Sequence, residues 1–297
     1  MEVFPNYYEK FKCLAGACKH SCCIGWEIDI DEETMALYHS LGGEMGEKIR
    51  SHIEGEVPHF ILQEEERCPF LNQTGLCDII CELGDGAICD ICYLHPRFSH
   101  FYSAFTETGL GLCCEEAVRI ILTEEEKFSI SIPTCARPEE MAFLKERQAV
   151  FDILQNREIS FLNRLQTLAK IFDLPFDFPN QELYEFYMSL ERLDADWEAE
   201  LKKLLCNEFS QGIFERQDLQ LFFEQLGCYF VFRHFDKGVG FALLGCYVIG
   251  AICAGCTSFE KMLDVVRMYS SEIEYSEENT EKVANFYSAR SAWGGKR

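Results

Sequence analysis

From about residue 138 onward, apolar residues recur at helical spacing, and the text reads as one helix after another. The periodicity predicts helices near 139–157, 159–173, 180–193, 194–206, 216–235, 239–255 and 258–275, followed by a ragged end. Pro175 and Pro179 separate two of them, because proline removes a backbone donor and clashes with the preceding turn. LQLFFEQLGCYFVFRHF is apolar almost all round, which places it inside a bundle. VGFALLGCYVIGAICAGC, residues 239–256, carries no charge and sits at the lower edge of membrane-spanning length. Gly240, Gly245, Gly250 and Gly255 recur through it, and its flanks Lys237 and Glu260 form no basic anchor. We read it as a buried core helix and expect no membrane.

The first half is patterned differently. Trp26–Ile30 alternates apolar and polar residues, as a short strand or extended segment does. Asp31 then precedes TMALYHSL, a helix start, and Cys114 opens EEAVRIIL, whose acidic first turn suits the positive end of a helix dipole. Most of the glycine and proline turn punctuation falls before Pro138, and helix follows helix after it, which sets the expected boundary near residues 133–138. The expected fold is mainly α: a loop-rich cysteine-cluster region with short strands or extended segments (1–135), then an α-helical bundle (136–297).

Charge and cysteine content narrow the function. The 297 residues include 27 basic and 50 acidic side chains, a net charge of −23, which repels polyphosphate and excludes nucleic acid as a partner in the absence of a basic patch. The 17 cysteines are an odd number, so a fully paired disulfide framework within one chain is impossible. The opening MEVFPNYYEKF lacks the charged-then-apolar pattern of a secretory leader, so the expected compartment is the reducing cytoplasm, where thiols stay free or bind metal.

Twelve cysteines precede residue 136. Cys13-x4-Cys18-x3-Cys22-Cys23 lets one loop deliver several thiolates to one cation at small loop-closure cost, with Gly16 and Gly25 permitting tight turns. Cys68, Cys77, Cys89-x2-Cys92 and Cys114 add candidate ligands, with His20, His95 and His100 nearby. Soft thiolates select zinc or iron–sulfur clusters over hard cations. The C-x3-C-x2-C spacing of radical S-adenosylmethionine cleavage is begun twice and broken each time, by Gly25 and by Gly84. The irregular spacing also differs from paired C-x2-C zinc knuckles, which favours a four-iron cluster over zinc. Cys206, Cys228, Cys246, Cys253 and Cys256 lie in apolar helices and read as small buried hydrophobes, the Cys253-x2-Cys256 pair included. Phosphate-binding glycine loops, the G-x-S-x-G elbow and the H-E-x-x-H metalloprotease motif are all missing.

Several motifs together resemble the flagellin lysine-N-methylase family. They are Phe11-x-Cys13, Cys18 and Ser21-Cys22-Cys23-x-Gly25-Trp26-x-Ile28; then Cys68-Pro69-Phe70-Leu71, Leu76-Cys77-Asp78-Ile79, Leu83-Gly84 and Cys89-x2-Cys92 with Pro96-Arg97. Leu112-Cys113-Cys114-Glu115-Glu116-Ala117-x-Arg119 resembles that family's Ser-Cys-Pro-Glu-Ala-Ala-Arg box, with Cys113 for Ser and Glu115 for Pro. Tyr269-Ser270-x-Glu272-Ile273-Glu274-x-Ser276-Glu277-x-Asn279 is similar to its C-terminal box, with Ser271 for Arg and Tyr275 for His. The N-terminal half also resembles a broader family of cysteine clusters that chelate zinc or iron.

The first resemblance implies transfer of the S-adenosylmethionine methyl group to lysine ε-amines of flagellin, with a four-iron cluster on the cysteines. Such an in-line displacement needs a neutral lysine, whose ordinary pKa is about 10.4. The site must therefore desolvate the amine or supply a base. Tyr269, Glu272 and Glu274, with Tyr275 behind them, are the candidates for amine contact; the competing reading makes them a solvated acidic helix end. An acidic surface would attract a lysine-bearing substrate, less so in salt. The alternative function is a non-catalytic metal or iron–sulfur binding module that serves in interaction or delivery.

Overall fold

The computed structural model describes residues 1–206 and 211–294, with side chains through 205 and from 211 to 288. The side chain of Cys206 lies outside that set. The chain forms two compact units: Lys12–Phe98, and a larger one that joins Met1–Phe11 to Ser99–Arg297. The larger unit opens with strand β1 (Glu2–Val3).

The smaller unit holds α1 (Glu32–Ser40), α2 (Gly43–Ser51), a hairpin of β2 (Ile53–Glu54) and β3 (His59–Phe60), α3 (Asp78–Leu83) and α4 (Asp90–Leu94). Asp31 caps α1 through its carboxylate, which accepts from Thr34 N–H at 2.8 Å and so satisfies one orphan donor of the first turn. Trp26–Ile30 forms no regular strand: Trp26 lies in a bend, and the segment is held by isolated bridges from Ile24 to Arg67 and Asp29 to His59. Gly25 takes a φ of +90°, a region costly for any side chain, as its place in the tight turn required. The core gathers Ile28, Ile30, Tyr38, Ile49, Phe60, Phe70 and Ile79.

Next along the chain, β4 (Arg97–Phe101) and β5 (Thr106–Leu110) join β1 in the order β1-β5-β4, β1 running parallel to β5. Then come α5 (Glu115–Leu122), α6 (Pro138–Leu154), α7 (Phe161–Ile171), α8 (Asn180–Met188), α9 (Ala195–Leu201) and α10 (Lys203–Cys206). The chain closes with α11 (Gln220–His234), α12 (Val239–Cys253), α13 (Phe259–Tyr269), a π-helical turn over Ser270–Glu274, and α14 (Glu277–Gly294). The mainly α fold class is as expected.

All fifteen residues of α12 are buried, so the uncharged run is a core helix. No described helix is long and apolar enough to cross a membrane. Its glycines exist for packing. A Cβ on Gly245 would stand 2.9 Å from the Phe230 ring, and one on Gly250 would stand 2.5 Å from that of Phe214.

Two expectations change. The break near residues 133–138 falls inside the larger unit, because residues on both sides of it share packing: α5 lies against α11 and α13, and Val3, Phe105 and Leu144 form one cluster. The expected ragged end after 275 is a helix, α14. Its polar sequence hides the few apolar contacts that hold it, Val283 and Tyr287 among them.

Candidate functional site

In the smaller unit five thiols border one apolar core. Cys68 N–H donates to the Cys23 carbonyl at 2.8 Å, so the turn carrying Cys23 lies beside Cys68. A bridge between Leu71 and Cys77 turns the chain back, and Cys77 ends up at the N-cap of α3. Cys89 occupies the N-cap of α4, and Cys92 follows one turn later with its N–H on the Cys89 carbonyl at 3.0 Å. Cys68 and Cys89 are buried, while Cys23, Cys77 and Cys92 are half-buried against the same apolar core. The Tyr38 hydroxyl lies 3.7 Å from Cys89 Sγ.

The sulfurs sense one another. A hydrogen bond with Cys22 pulls the Cys23 thiol down to about 7, with Ser21 and Arg67 assisting against burial. Burial pushes Cys68 up to about 12, helped by the neighbouring Cys23, Cys77 and Cys89. Hydrogen bonds from Cys92 and Tyr38 hold Cys89 below its ordinary value and leave Cys92 raised. His95, in the cis His95–Pro96 segment, is driven down to about 4 by burial and is therefore a neutral imidazole at pH 7.

The other nominated ligands sit differently. Cys13 and Cys22 are exposed, Cys18 is partly exposed, and Cys114 caps α5 in the larger unit. The donor set of the five-thiol nest fits a soft cation in its chemistry. As the side chains stand, no group of three or more His, Cys, Asp or Glu among the described residues is arranged to hold an ion.

The C-terminal box lies in the larger unit, on and around the π-helical turn. That geometry is rare and recurs at functional sites. Its acidic residues are not a solvated helix end: Tyr269, Glu272 and Glu274 are all buried. Glu272 accepts from the N–H groups of Leu193 and Asp194 at 2.8 and 2.7 Å, which fixes the approach to α9. Burial raises its carboxyl against those bonds. Tyr269 shares a 3.2 Å hydroxyl contact with Tyr187.

Glu274 is the hub. Its Oε1 meets His234 Nε2 at 2.6 Å, and its Oε2 accepts from the Tyr229 hydroxyl at 3.1 Å. Arg233 donates to that same hydroxyl at 2.8 Å and lies over the Tyr275 ring at 4.9 Å. The hydroxyl in turn accepts from Leu112 N–H at 3.2 Å, which ties the box to the Leu112-Cys113-Cys114 motif. Burial opposes the charge on Glu274, but the Arg233 guanidinium and the His234 hydrogen bond outweigh it and hold the carboxyl below its ordinary value. Tyr275 is 44% exposed, while Ser276 and Glu277 of the box also reach water.

The partners Tyr229, Arg233 and His234 escaped the reading of the sequence. Their signal was present as three polar tips at positions i, i+4 and i+5 in the apolar second half of α11. A second buried pair, Arg147 with Glu107 at 2.8 and 2.6 Å, was equally silent.

Known proteins show similarity to part of this chain. A lysine-N-methylase of Salmonella typhimurium strain LT2 and one of Salmonella choleraesuis strain SC-B67 are each 27% identical over 144 residues, 44% of this chain and 34% of theirs. The flagellar biosynthetic protein FliU of Salmonella muenchen is 25% identical over 139 residues, 42% of this chain and 79% of that protein. The chain thus matches about a third of the length of these lysine-N-methylases, 34%. No protein-family model matches it, and no solved structure does. Over 44% of its length, then, the chain is similar to proteins named lysine-N-methylase.

Proposed function

We propose that the chain takes part in S-adenosylmethionine-dependent methylation of lysine ε-amines on flagellin. The observation that carries this reading is the similarity to proteins named lysine-N-methylase; the name FliU adds the flagellar connection. The reaction forms an N–C bond to the methyl carbon, breaks the sulfonium S–C bond, and releases a proton from the amine and S-adenosylhomocysteine. It needs no electron transfer. A metal on Cys23, Cys68, Cys77, Cys89 and Cys92 would therefore supply folding energy to a short-stranded, loop-rich unit, since ligation ties segments that secondary structure leaves loose.

In the larger unit Glu274 acts by position. It fixes His234, Tyr229 and Arg233, and Arg233 carries the Tyr275 ring. Tyr275, the exposed tyrosine of the box, is the residue we assign to amine contact. Tyr269, Glu272 and Glu274 then serve as its scaffold.

A second reading, a non-catalytic metal-binding module, draws on one specific observation: Glu272 and Glu274 are already committed to internal partners. Incubation of anaerobically purified protein with labelled S-adenosylmethionine and flagellin separates the two. Label on flagellin lysines, reduced in Tyr275→Ala, supports the methyl-transfer reading. Absence of label together with absence of cofactor binding by calorimetry overturns it in favour of the module. Iron–sulfur content would show as a visible absorbance shoulder bleached by dithionite, and zinc as a colourless stoichiometric metal.

A further inference from the structure

The Cys253–Cys256 pair was expected to be two buried hydrophobes, yet its two sulfurs sit in different surroundings. Cys253 is the last residue of α12 and 1% exposed. Cys256 lies beyond the helix end, partly exposed and followed by exposed Thr257 and Ser258. Cys256 N–H donates to the Cys253 carbonyl at 2.9 Å, which closes a turn across the pair. A bond of that kind keeps the first and fourth Cα within about 7 Å, the span that a disulfide bridges. Cys256 Sγ lies 3.9 Å from the Ile252 carbonyl, and each thiol shifts the other's proton affinity.

The cationic surroundings are built from other elements. Glu200 of α9 is held between Lys203 and Lys261, at 2.5 and 3.3 Å, and both ammonium groups act on Cys256. The hydrogen bond from Cys253, with the two lysines working against burial and Glu200, brings the Cys256 thiol down to about 7. Burial and the shared proton push Cys253 well up. One sulfur is thus an accessible nucleophile, and the other is a protected thiol beside it.

We propose that Cys253 and Cys256 form a reversible redox dithiol whose co-substrate is a low-molecular-weight disulfide of the glutathione type. The Cys256 thiolate attacks one sulfur of the small disulfide; a Cys256 S–S bond forms, the small disulfide breaks, and its first half leaves as a thiolate that takes up a proton. Cys253 then loses its proton and attacks Cys256 Sγ, so the intramolecular bond forms and the second small thiol leaves. Two protein thiols are oxidised by two electrons, and one small disulfide is reduced to two thiols. The step is independent of methyl transfer and of any metal on the smaller unit.

The test uses the full chain, reduced and then exposed to oxidised glutathione, followed by alkylation and peptide mass mapping. The expected product is a peptide spanning 253–256 that is lighter by two hydrogens, carries no alkyl group, and reverts with dithiothreitol. Cys253→Ser is expected to stop at a stable glutathione adduct on Cys256. Cys256→Ser is expected to leave Cys253 unmodified. Full alkylation of both thiols in the native chain after exposure, a persistent single adduct in the native chain, or an adduct on Cys253 in Cys256→Ser would each overturn the proposal. Mapping the native chain decides the matter even where a serine variant does not fold.

Discussion

His234 Nε2 stands 2.6 Å from Glu274 Oε1, joining the end of α11 to the π-helical turn across forty residues of sequence. Both side chains are buried, and the guanidinium of Arg233 lies beside them, 3.7 Å from the same oxygen. A buried carboxylate is tolerated only where such partners compensate its lost hydration. The network therefore holds the box in one arrangement, with the Tyr275 ring at its surface.

Removing that charge should be costly. Glu274→Gln leaves Arg233 buried without its counter-charge, and breaking a buried pair of this kind costs about 3–5 kcal/mol. Urea unfolding measures the loss. A variant within about 0.5 kcal/mol of the native chain would mean that the network contributes no more than an ordinary surface site.

Acid should weaken the same region in two stages. Burial holds His234 and His100 below the ordinary histidine value, so the unfolded chain binds their protons first. Stability from these two groups is complete above about pH 6.5 and declines as pH falls toward their folded values. Glu274, also held low, contributes stability that is present above about pH 4.3 and lost as pH falls through its folded value. The difference in urea midpoint between the native chain and His234→Gln should therefore narrow as pH is lowered from about 6.5 to about 5. A gap that widens over that interval contradicts the assignment.

The glycines of α12 should resist enlargement. Gly250→Ala drives a methyl into the Phe214 ring and Gly245→Ala into that of Phe230. Overpacking typically costs about 1–3 kcal/mol, more than the helix propensity alanine returns. Calorimetric melting should show both variants less stable than the native chain, and a higher melting temperature in either would contradict this packing.

The thiol nest makes a positional prediction for metal content. Cys68→Ser and Cys89→Ser should lose bound metal and soluble yield, because ligand removal forfeits folding energy. The exposed Cys81 and Cys135 lie apart in character, and their serine variants should keep both. Elemental analysis of the purified variants reads the outcome, and equal metal in all four would break the assignment of the nest.

Local order was legible in the chain itself. Asp31 marked the start of α1, Pro138 began α6, and the uncharged run at 239–256 gave α12, because caps, proline and apolar periodicity act over a few residues. The cysteine-rich character of the first third and the kinship of its motifs were also legible there. Which of those thiols meet was not. Cys23 pairs its backbone with Cys68, and Cys89 and Cys92 join them from a separate helix, a convergence that depends on where three loops cross.

Tertiary structure alone decided the fate of the acidic box. Glu272 and Glu274 sit in a charge-rich stretch that reads as water-facing, and only the donors brought by the 193–194 backbone and by α11 make their burial possible. The same holds for the unit boundary, since strand β1 and α5 are held by partners far along the chain. Sequence determined the elements and the chemistry available, through interactions spanning a turn or two. The fold chose which side chains share a neighbourhood, because burial and pairing free energies depend on neighbours that no local pattern encodes.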